Sequence, residues 1–196
     1  RRQRQMCIID SYKRLVHTLK VTPVPGLRAQ KYASSGHVDG EVMRIYSYGD
    51  ETKNVIRVPT HFYYVTTMPF IRNGTSVEIN DKHDLIRYYV AKVRGVKHTS
   101  SLSKYLDLKH IKDFSSPAQM MKALHMGRVD IALSNPLEGN ITIKQQGYIN
   151  VRSLNKPLAK LKLYHYVHKK NADLVPQIDE ALKAMKASGE LDTIIT

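Results

Sequence analysis

The tetrapeptide pattern Gly-x-Val-Asp occurs twice in the chain, as Gly36-His37-Val38-Asp39 and as Gly127-Arg128-Val129-Asp130. Each copy follows a stretch that suits a helix and precedes a short apolar run. A glycine directly after a helix is the usual left-handed stop, and a short apolar run is typical of a strand that helices cover on both faces. The pattern therefore predicts half of a βαβ unit at each place, and its duplication predicts two similar lobes.

Length and composition are those of a globular protein. The chain has 196 residues, of which 42% are hydrophobic and 24% charged. A chain of this size buries about 70% of its unfolded surface, enough for one large domain or two small lobes. No run of about 18 apolar residues is present, so we expect no insertion into a membrane. Cys7 is the only cysteine, which excludes an intrachain disulfide but leaves the compartment open.

The formal net charge of +14 is the outlying property of the composition. Such a charge attracts nucleic acid, an anionic membrane or an acidic ligand. The basic residues form only small clusters, however, without an arginine-rich arm, a zinc-finger spacing or an aromatic RNA-binding signature. We therefore expect no nucleic-acid partner.

Motifs for metal binding or catalysis are missing from the sequence. His165 and His168 are three residues apart in a predicted strand, which turns them to opposite faces, and the nine histidines show no zinc-like spacing. No Gly-x-Ser-x-Gly occurs, and Cys7 lies within an amphipathic helix pattern. We expect no metal, no cofactor and no enzymatic activity.

Helices and strands alternate along the predicted chain. Helices are predicted at 6–19, 27–35, 100–106, 119–126, 140–147 and 173–187, with a capped turn at 80–85 and a last short helix from residue 191. Strands are predicted at 21–24, 38–45, 55–58, 61–68, 88–93, 131–133 and 161–167. Residues 46–54 are predicted to form a polar loop.

In this order and spacing, the pieces resemble the family 3 extracytoplasmic solute-binding proteins, the polar amino-acid type that serves bacterial ABC importers. The resemblance covers most of the chain. It rests on Leu27-Arg28-Ala29 before the first Gly-x-Val-Asp with its Gly40-Glu41 extension, Asp84-Leu85 before Val90-Ala91-Lys92-Val93-Arg94-Gly95, the second Gly-x-Val-Asp, and Leu182-x-x-Met185-x-x-Ser188-Gly189-Glu190-Leu191.

The resemblance implies a type 2 periplasmic-binding-protein-like α/β fold, in which two lobes joined by two crossing strands close over a small solute. Lobe 1 would comprise 1–70 and 164–196, and lobe 2 would comprise 71–163, with crossings near 67–72 and 163–168. It also implies a periplasmic monomer with a small-molecule solute and a membrane transporter permease as partners. A solute favours closure only by its extra affinity for the closed state.

One feature departs from the family. Its members usually begin with a strand and a proline-containing loop ahead of the helix that corresponds to 5–19, and that strand is central in the sheet of lobe 1. The strand is absent here, and a sheet without it leaves unpaired amides. We expect that the chain lacks its natural N terminus, unless another segment replaces the strand.

Ligand contacts are expected beyond the carboxyl ends of strands, where open α/β sheets bind their ligands. Arg44 lies there, and a guanidinium holds a carboxylate through two parallel hydrogen bonds. The family's usual arginine follows a Thr-x-x-Arg pattern that this chain lacks, so Arg44 is either the ligand arginine or a brace for the loop. Glu41, from the same strand, is either paired within the protein or in contact with the ligand.

The segment from Arg94 through Gly95 to Thr99 matches the family's loop whose backbone amides, at a helix start, receive the anionic end of the solute. Unsatisfied amides and the helix dipole favour negative charge there, although Thr99 also suits a plain capping role. Arg28 opens a helix beside the expected cleft, and with Tyr64 or Tyr46 it could frame the solute. Packing on the helix surface is the alternative for Arg28.

Asn135 stands where amino-acid-binding members often carry an aspartate that pairs with the ammonium group of the solute. A neutral amide supplies no such charge, so either the ligand is not a simple α-amino acid or another acid, such as Asp39 or Glu41, supplies it. Asp39 itself and Asp130 are expected to make structural hydrogen bonds at the starts of their strands.

Two other functions compete with that of a carrier. The same module serves as a ligand-sensing domain of membrane-anchored signalling proteins, where closure sends a signal. An enzyme on this fold, such as a dehydratase or a murein-cleaving relative, would need an acid and a base in the cleft, and the sequence shows no convincing pair.

Overall fold

The structure is a computed structural model that describes residues 2–15, 17–104 and 106–191. The chain forms two compact units, of which unit 1 comprises Arg1–Tyr64 and Lys162–Thr196, and unit 2 comprises Val65–Leu161. Within the described ranges, no helix is both long and apolar enough to cross a membrane.

Helices and strands alternate over most of the chain. The helices are α1 Arg2–Arg14, α2 Gly26–Ser35, α3 Tyr48–Glu51, α4 Lys97–Ser103, α5 Pro117–His125, α6 Pro136–Gln146 and α7 Leu174–Ala187, with 3-10 turns at Lys82–Arg87, Leu108–His110 and Lys169–Asn171. The strands are β1 Gly40–Ile45, β2 Val55–Arg57, β3 Tyr63–Arg72, β4 Val90–Val93, β5 Ile111–Phe114, β6 Ile131–Ser134, β7 Val151–Ser153 and β8 Ala159–His168. The chain passes from one unit to the other within β3 and again within β8.

In unit 1, β8 is the middle strand of the sheet. It pairs antiparallel with β1 along one edge and with β2 along the other, so that Tyr166 faces both Glu41 and Arg57. Alternate β8 side chains point to opposite faces. Val167 packs on one face with Ile8, Ile178 and Leu182 of α1 and α7, whereas Tyr164 and Tyr166 form a cluster with Tyr48 on the other.

In unit 2, β4 lies between β5 and β6 and is parallel to both. Antiparallel β3 pairs with β6 and with β7. The core is formed by completely buried apolar residues of α5 and of the parallel strands, including Met120, Met121, Leu124, Val90 and Ile131.

The two Gly-x-Val-Asp copies form similar turns from a helix toward a strand. Gly36 caps α2 with φ 75°, and Gly127 follows α5 with φ 70°, a conformation that glycine adopts without steric cost. Asp130 Oδ2 accepts the Tyr89 amide at 2.8 Å, and Asp39 accepts Lys170 and Asn171 at 3.0 and 3.1 Å. Both carboxylates therefore bond within the scaffold, as their place in the motif predicted.

Three predictions about secondary structure need correction. The predicted strand at 21–24 is wrong, because residues 17–25 have no regular structure. A strand needs a hydrogen-bonded neighbour, and Pro23 and Pro25 cannot donate. The first helix ends at Arg14 instead of residue 19, and the loop at 46–54 contains the short α3, whose Tyr48 is fully buried.

Two short strands, β5 and β7, escaped the sequence prediction. Each has only three or four residues with charged or polar side chains among them, so neither shows a clear alternation. The helix predicted from residue 191 falls mostly on 192–196, outside the described residues.

Candidate functional site

A β-bulge shapes the strand of unit 1 that carries two predicted site residues. Glu41 faces Tyr166 and Arg44 faces Tyr164, so two β1 residues stand opposite one β8 residue. One of the two, Met43, has φ 65°, which costs a residue with a side chain roughly 1–2 kcal/mol. Residues three apart in a regular strand point to opposite faces, but the extra residue brings Glu41 and Arg44 to the same face.

Glu41 and Arg44 form an ion pair there. Arg44 Nε donates to Glu41 Oε1 at 2.7 Å, and its Nη2 contacts the same oxygen and donates to the Gly26 carbonyl at 2.9 Å. The Tyr48 hydroxyl donates to Glu41 Oε2, and the Arg44 guanidinium lies 4.8 Å from the centre of the Tyr48 ring. Burial and the Glu41 carboxylate raise the pKa of Tyr48. These contacts tie β1 to α3 and to the start of α2.

A cluster of aromatic residues around Arg57 lies beside this pair at the carboxyl end of β2. The Arg57 Cζ atom is 3.4 Å from the ring centre of Tyr46 and 5.4 Å from that of Tyr164. Burial alone would lower the pKa of Arg57, but the hydroxyl groups of Tyr166 and Tyr46 beside it raise the pKa. Arg57 therefore stays charged in a largely aromatic setting.

His61 and Tyr64 extend this surface. The His61 Nε2 atom lies 2.9 Å from the Tyr64 hydroxyl, and the His61 ring centre is 5.0 Å from that of Tyr64 and 6.2 Å from that of Tyr164. Burial, Lys186 and Lys162 lower the pKa of His61, so its ring is neutral near pH 7. We call the group of Tyr46, Arg57, His61, Tyr64 and Tyr164 the Arg57 cluster.

Sequence reasoning predicted Tyr64 and Tyr46 as aromatic walls but missed Arg57. The strand pattern around 55–58 was recognised, yet nothing local shows that its arginine meets a tyrosine more than 100 positions away. Arg28, the third residue of the predicted frame, is exposed on the first turn of α2.

In unit 2, three predicted site residues follow β4. Arg94 is exposed, and its backbone amide donates to the Phe114 carbonyl at 2.9 Å. Gly95 has φ 79° and forms the turn into α4. Thr99 is only 1% exposed, and its hydroxyl donates to the Val96 carbonyl at 2.9 Å, so this group is engaged within the helix.

His98, next to Thr99, has a role that the sequence did not suggest. Its Nδ1 atom lies 2.6 Å from Oγ1 of Thr67, a fully buried β3 residue. Burial lowers the pKa of His98 to about 4. His165 of unit 1 is comparable, because its Nδ1 lies 3.0 Å from the Glu41 carbonyl, its Nε2 lies 2.8 Å from the Tyr12 hydroxyl, and burial lowers its pKa to about 4. Both rings are neutral at pH 7.

Asn135 begins α6. Its Oδ1 atom accepts the Glu138 amide at 3.0 Å, and its Nδ2 atom lies 3.4 Å from Glu138 Oε2. Asparagine, then proline at the first helical position, then glutamate is a typical helix start. The sequence thus indicated this capping role, in which the side-chain amide oxygen of Asn135 accepts the hydrogen bond.

The described part of the chain contains no group of three or more His, Cys, Asp or Glu side chains that could hold a metal ion. The structure brings Glu41 and Arg44 together and places Tyr64 in the Arg57 cluster. Ligand contact by any of the predicted residues stays a prediction.

Comparisons with known proteins identify the fold. No protein-family model matches the chain. An uncharacterized protein of Shewanella oneidensis is 30% identical over an alignment of 172 residues that covers 85% of this chain. The match spans 64% of that protein, so the chain covers less than two thirds of its relative.

Several solved structures share the architecture. A histidine kinase sensor domain with similarity to periplasmic binding proteins matches 98% of this chain and 83% of its own, with a TM-score of 0.80 and 18% identity. The substrate-binding protein of an amino acid ABC transporter matches 97% and 84%, with a TM-score of 0.74 and 18% identity. The arginine-, lysine-, histidine-binding protein ArtJ from Geobacillus stearothermophilus matches 97% and 83%, with a TM-score of 0.74 and 17% identity. The chain therefore has the two-lobed α/β fold of periplasmic binding proteins, which the sequence resemblance predicted.

The Glu41–Arg44 pair is expected to stabilise unit 1 through mutual neutralisation. The two side chains are 10% and 14% exposed, so removing either one leaves its partner's charge poorly solvated. We expect Glu41→Gln or Arg44→Gln to lower the free energy of unfolding by about 2 kcal/mol each, and the double variant to cost at least about 1 kcal/mol less than the sum. Urea unfolding of the wild type, the two single variants and the double variant measures this coupling. Strictly additive losses of unfolding free energy would show that the two side chains do not stabilise each other.

Stability is expected to fall in mild acid because of His98 and His165. Their folded pKa values of about 4 lie below the ordinary histidine pKa of 6.5, so the unfolded chain binds more protons between these values. The stabilisation is fully present above pH 6.5 and is lost as the pH falls toward 4, by on the order of 3 kcal/mol per histidine.

Urea unfolding at pH 7.5, 6, 5 and 4.5 measures this loss. His98→Gln and His165→Gln should each reduce the dependence on pH, although each variant is less stable at pH 7.5. His17→Gln, at an exposed position of unit 1, serves as the control. An unchanged slope in both core variants would show that other groups cause the dependence.

Proposed function

We propose that this protein binds a small solute outside the cytoplasm, an amino acid or another small carboxylate, and delivers it to an ABC importer. The observation that carries the proposal is the fold, which the substrate-binding protein of an amino acid ABC transporter shares over 97% of this chain. In this proposal the protein is a periplasmic monomer of the family 3 type, its partners are the solute and a membrane permease, and it catalyses no reaction. We propose that units 1 and 2, which divide after Tyr64 and after Leu161, act as the two lobes, for which the sequence predicted divisions after residues 70 and 163.

The predicted ligand contacts differ in how exposed their side chains are and in whether their polar groups already form hydrogen bonds within the protein. Arg28 and Arg94 are exposed, Gly95 offers its backbone amide, and Tyr64 is 41% exposed. We propose these as contacts of the solute, with the arginines receiving carboxylate groups. The Tyr64 hydroxyl lies 2.9 Å from His61 Nε2, so its ring is the part proposed to contact the solute. Polar groups of the remaining four candidates also bond within the protein, and ligand contact by them would compete with those hydrogen bonds: Glu41, Arg44, Thr99 and Asn135.

A ligand-sensing domain of a membrane-anchored signalling protein is the second candidate. The favouring observation is the match to a histidine kinase sensor domain, whose TM-score of 0.80 exceeds the 0.74 of the amino acid transporter component. Both functions require the same solute binding and differ in what the bound protein contacts.

Ligand-dependent stability tests the binding that both candidates share. We expect one class in a panel of amino acids, small carboxylates and short peptides to stabilise the chain, by about 2.7 kcal/mol at 100 times its dissociation constant. Thermal unfolding measures the shift, and the methyl ester of an active carboxylate is the control for charge. Arg94→Gln should reduce the shift while Lys169→Gln, also exposed, leaves it unchanged. No stabilisation by any class, or turnover of a ligand, would contradict solute carriage.

Carrier and sensor are distinguished by the partner of the liganded protein. A carrier should raise ATP hydrolysis by its importer in proteoliposomes only when the solute is present. A sensor should instead change the autophosphorylation or cyclase activity of a full-length protein in which this chain is one domain. Solute-dependent signalling without stimulated transport would replace the carrier proposal with the sensor.

A further inference from the structure

The guanidinium of Arg57 lies over the ring of Tyr46, and the ring of Tyr164 packs edge-on against that of Tyr46, with 5.8 Å between the ring centres. Tyr46 covers its face at 3.4 Å, and Tyr164 lies at 5.4 Å. A stacked guanidinium keeps its N–H donors in the ring-parallel plane, where they match the two oxygens of a carboxylate. Stacking thus fixes the direction in which Arg57 can bind an acid.

The charge of Arg57 has no acidic counterpart. Among the residues that the structure describes, no carboxylate lies within 4.0 Å ion-pair distance of this guanidinium, although it is half-buried. Glu41, which pairs with Tyr166 across the strands, is engaged by Arg44 and Tyr48. The charge of Asp50 acts on Tyr166, but Asp50 forms no ion pair with Arg57. A partly desolvated, unpaired cation favours an anionic ligand.

The surroundings of Arg57 add aromatic surface and further positive charge. Tyr46 and Tyr64 are 56% and 41% exposed, and the neutral His61 ring packs on Tyr64. Lys186 Nζ lies 3.4 Å from His61 Nε2. The tyrosine rings would pack favourably against an aromatic ring of a ligand. The Arg57 cluster contains no acidic residue that could pair with a ligand's ammonium group.

We infer that the Arg57 cluster binds the carboxylate of a small aromatic acid, with Arg57 as the anchor and the rings of Tyr46 and Tyr64 against the aromatic body. This inference rests on the proposed solute-binding function and names the ligand class and the anchoring residue of unit 1. It replaces Arg44, whose donors are already used by Glu41 and Gly26, in the role of ligand arginine.

Calorimetric titration with matched small probes tests the inference. Benzoate should bind more tightly than acetate or cyclohexanecarboxylate, which lack the aromatic ring, and more tightly than benzyl alcohol, which lacks the carboxylate. Phenylalanine should bind no better than benzoate, because the cluster offers no partner for its ammonium group. Arginine and glutamine complete the panel as amino acids without an aromatic ring.

Variants at position 57 separate the anchor from its surroundings. We expect Arg57→Gln to weaken benzoate binding about tenfold or more, the range for a charged hydrogen bond. Arg57→Lys should also weaken it, because a point charge cannot make the two parallel bonds. Tyr46→Leu should weaken it several-fold, about the contribution of an exposed cation–π contact. Arg152→Gln, an exposed charge change in unit 2, should leave the affinity unchanged.

Each outcome decides between the inference and the proposed function. Unchanged benzoate affinity in folded Arg57→Gln or Arg57→Lys protein would overturn the inference. Binding of arginine or glutamine with no affinity for benzoate would also overturn it, while the proposed solute binding would stand. No binding of any solute, including the wider panel of amino acids and carboxylates, would remove the proposed function and the inference together.

Discussion

The antiparallel pairing of β8 with β1 and β2 determines the chemistry of unit 1. Because successive β8 residues point to opposite faces, Tyr164 and Tyr166 form an aromatic layer on one side, while His165 and Val167 face α1 and α7 on the other. Tyr48 and Tyr46, which lie outside β8, pack edge-on against Tyr166 and Tyr164 and carry the guanidinium groups of Arg44 and Arg57 on their rings.

Arg44 of β1 and Arg57 of β2 lie on the same side of the sheet but differ in their charge partners. The bulge in β1 and the register of β2 cause this difference. The extra residue brings Glu41 within reach of Arg44, so that pair is neutral and its bonds are local. Arg57 enters from the other edge, opposite Tyr166, and forms no ion pair with any acid that the structure describes. The chain has 31 basic and 17 acidic residues, so acids are scarce. Several of those present, such as Asp39 and Asp130, are used by the scaffold.

Much of the fold could be predicted from the sequence, because its main signals are local. Glycine stops after α2 and α5, the apolar period of α7 and the alternation in β8 each depend on neighbouring residues. The predicted strand at 21–24 failed because a strand also depends on a partner that its own sequence does not specify. Strands β5 and β7 escaped detection for a related reason, since they are too short to show a period.

The candidate site was less predictable because its contacts are distant in sequence or depend on an irregular backbone. The Glu41–Arg44 pair requires the left-handed Met43, and a methionine carries no sequence signal for that conformation. Arg57 meets Tyr164 only through the pairing of strands about 100 positions apart. By contrast, the capping role of Asn135 was readable from Asn-Pro-x-Glu, although the family resemblance drew attention to a ligand role instead.

Preorganisation distinguishes the arginine of the Arg57 cluster from the exposed arginines. A long side chain that is free in solvent loses rotamer freedom when it binds, at a cost of about 0.5–1.5 kcal/mol. Arg94 would incur this cost, because it is exposed beyond the end of β4. Arg57 already packs on Tyr46 and Tyr164 in the folded protein, so its side chain loses most of its rotamer freedom during folding and little more on binding. A carboxylate bound at Arg57 should therefore gain more affinity from its arginine than one bound at Arg94, even though the two side chains carry the same charge.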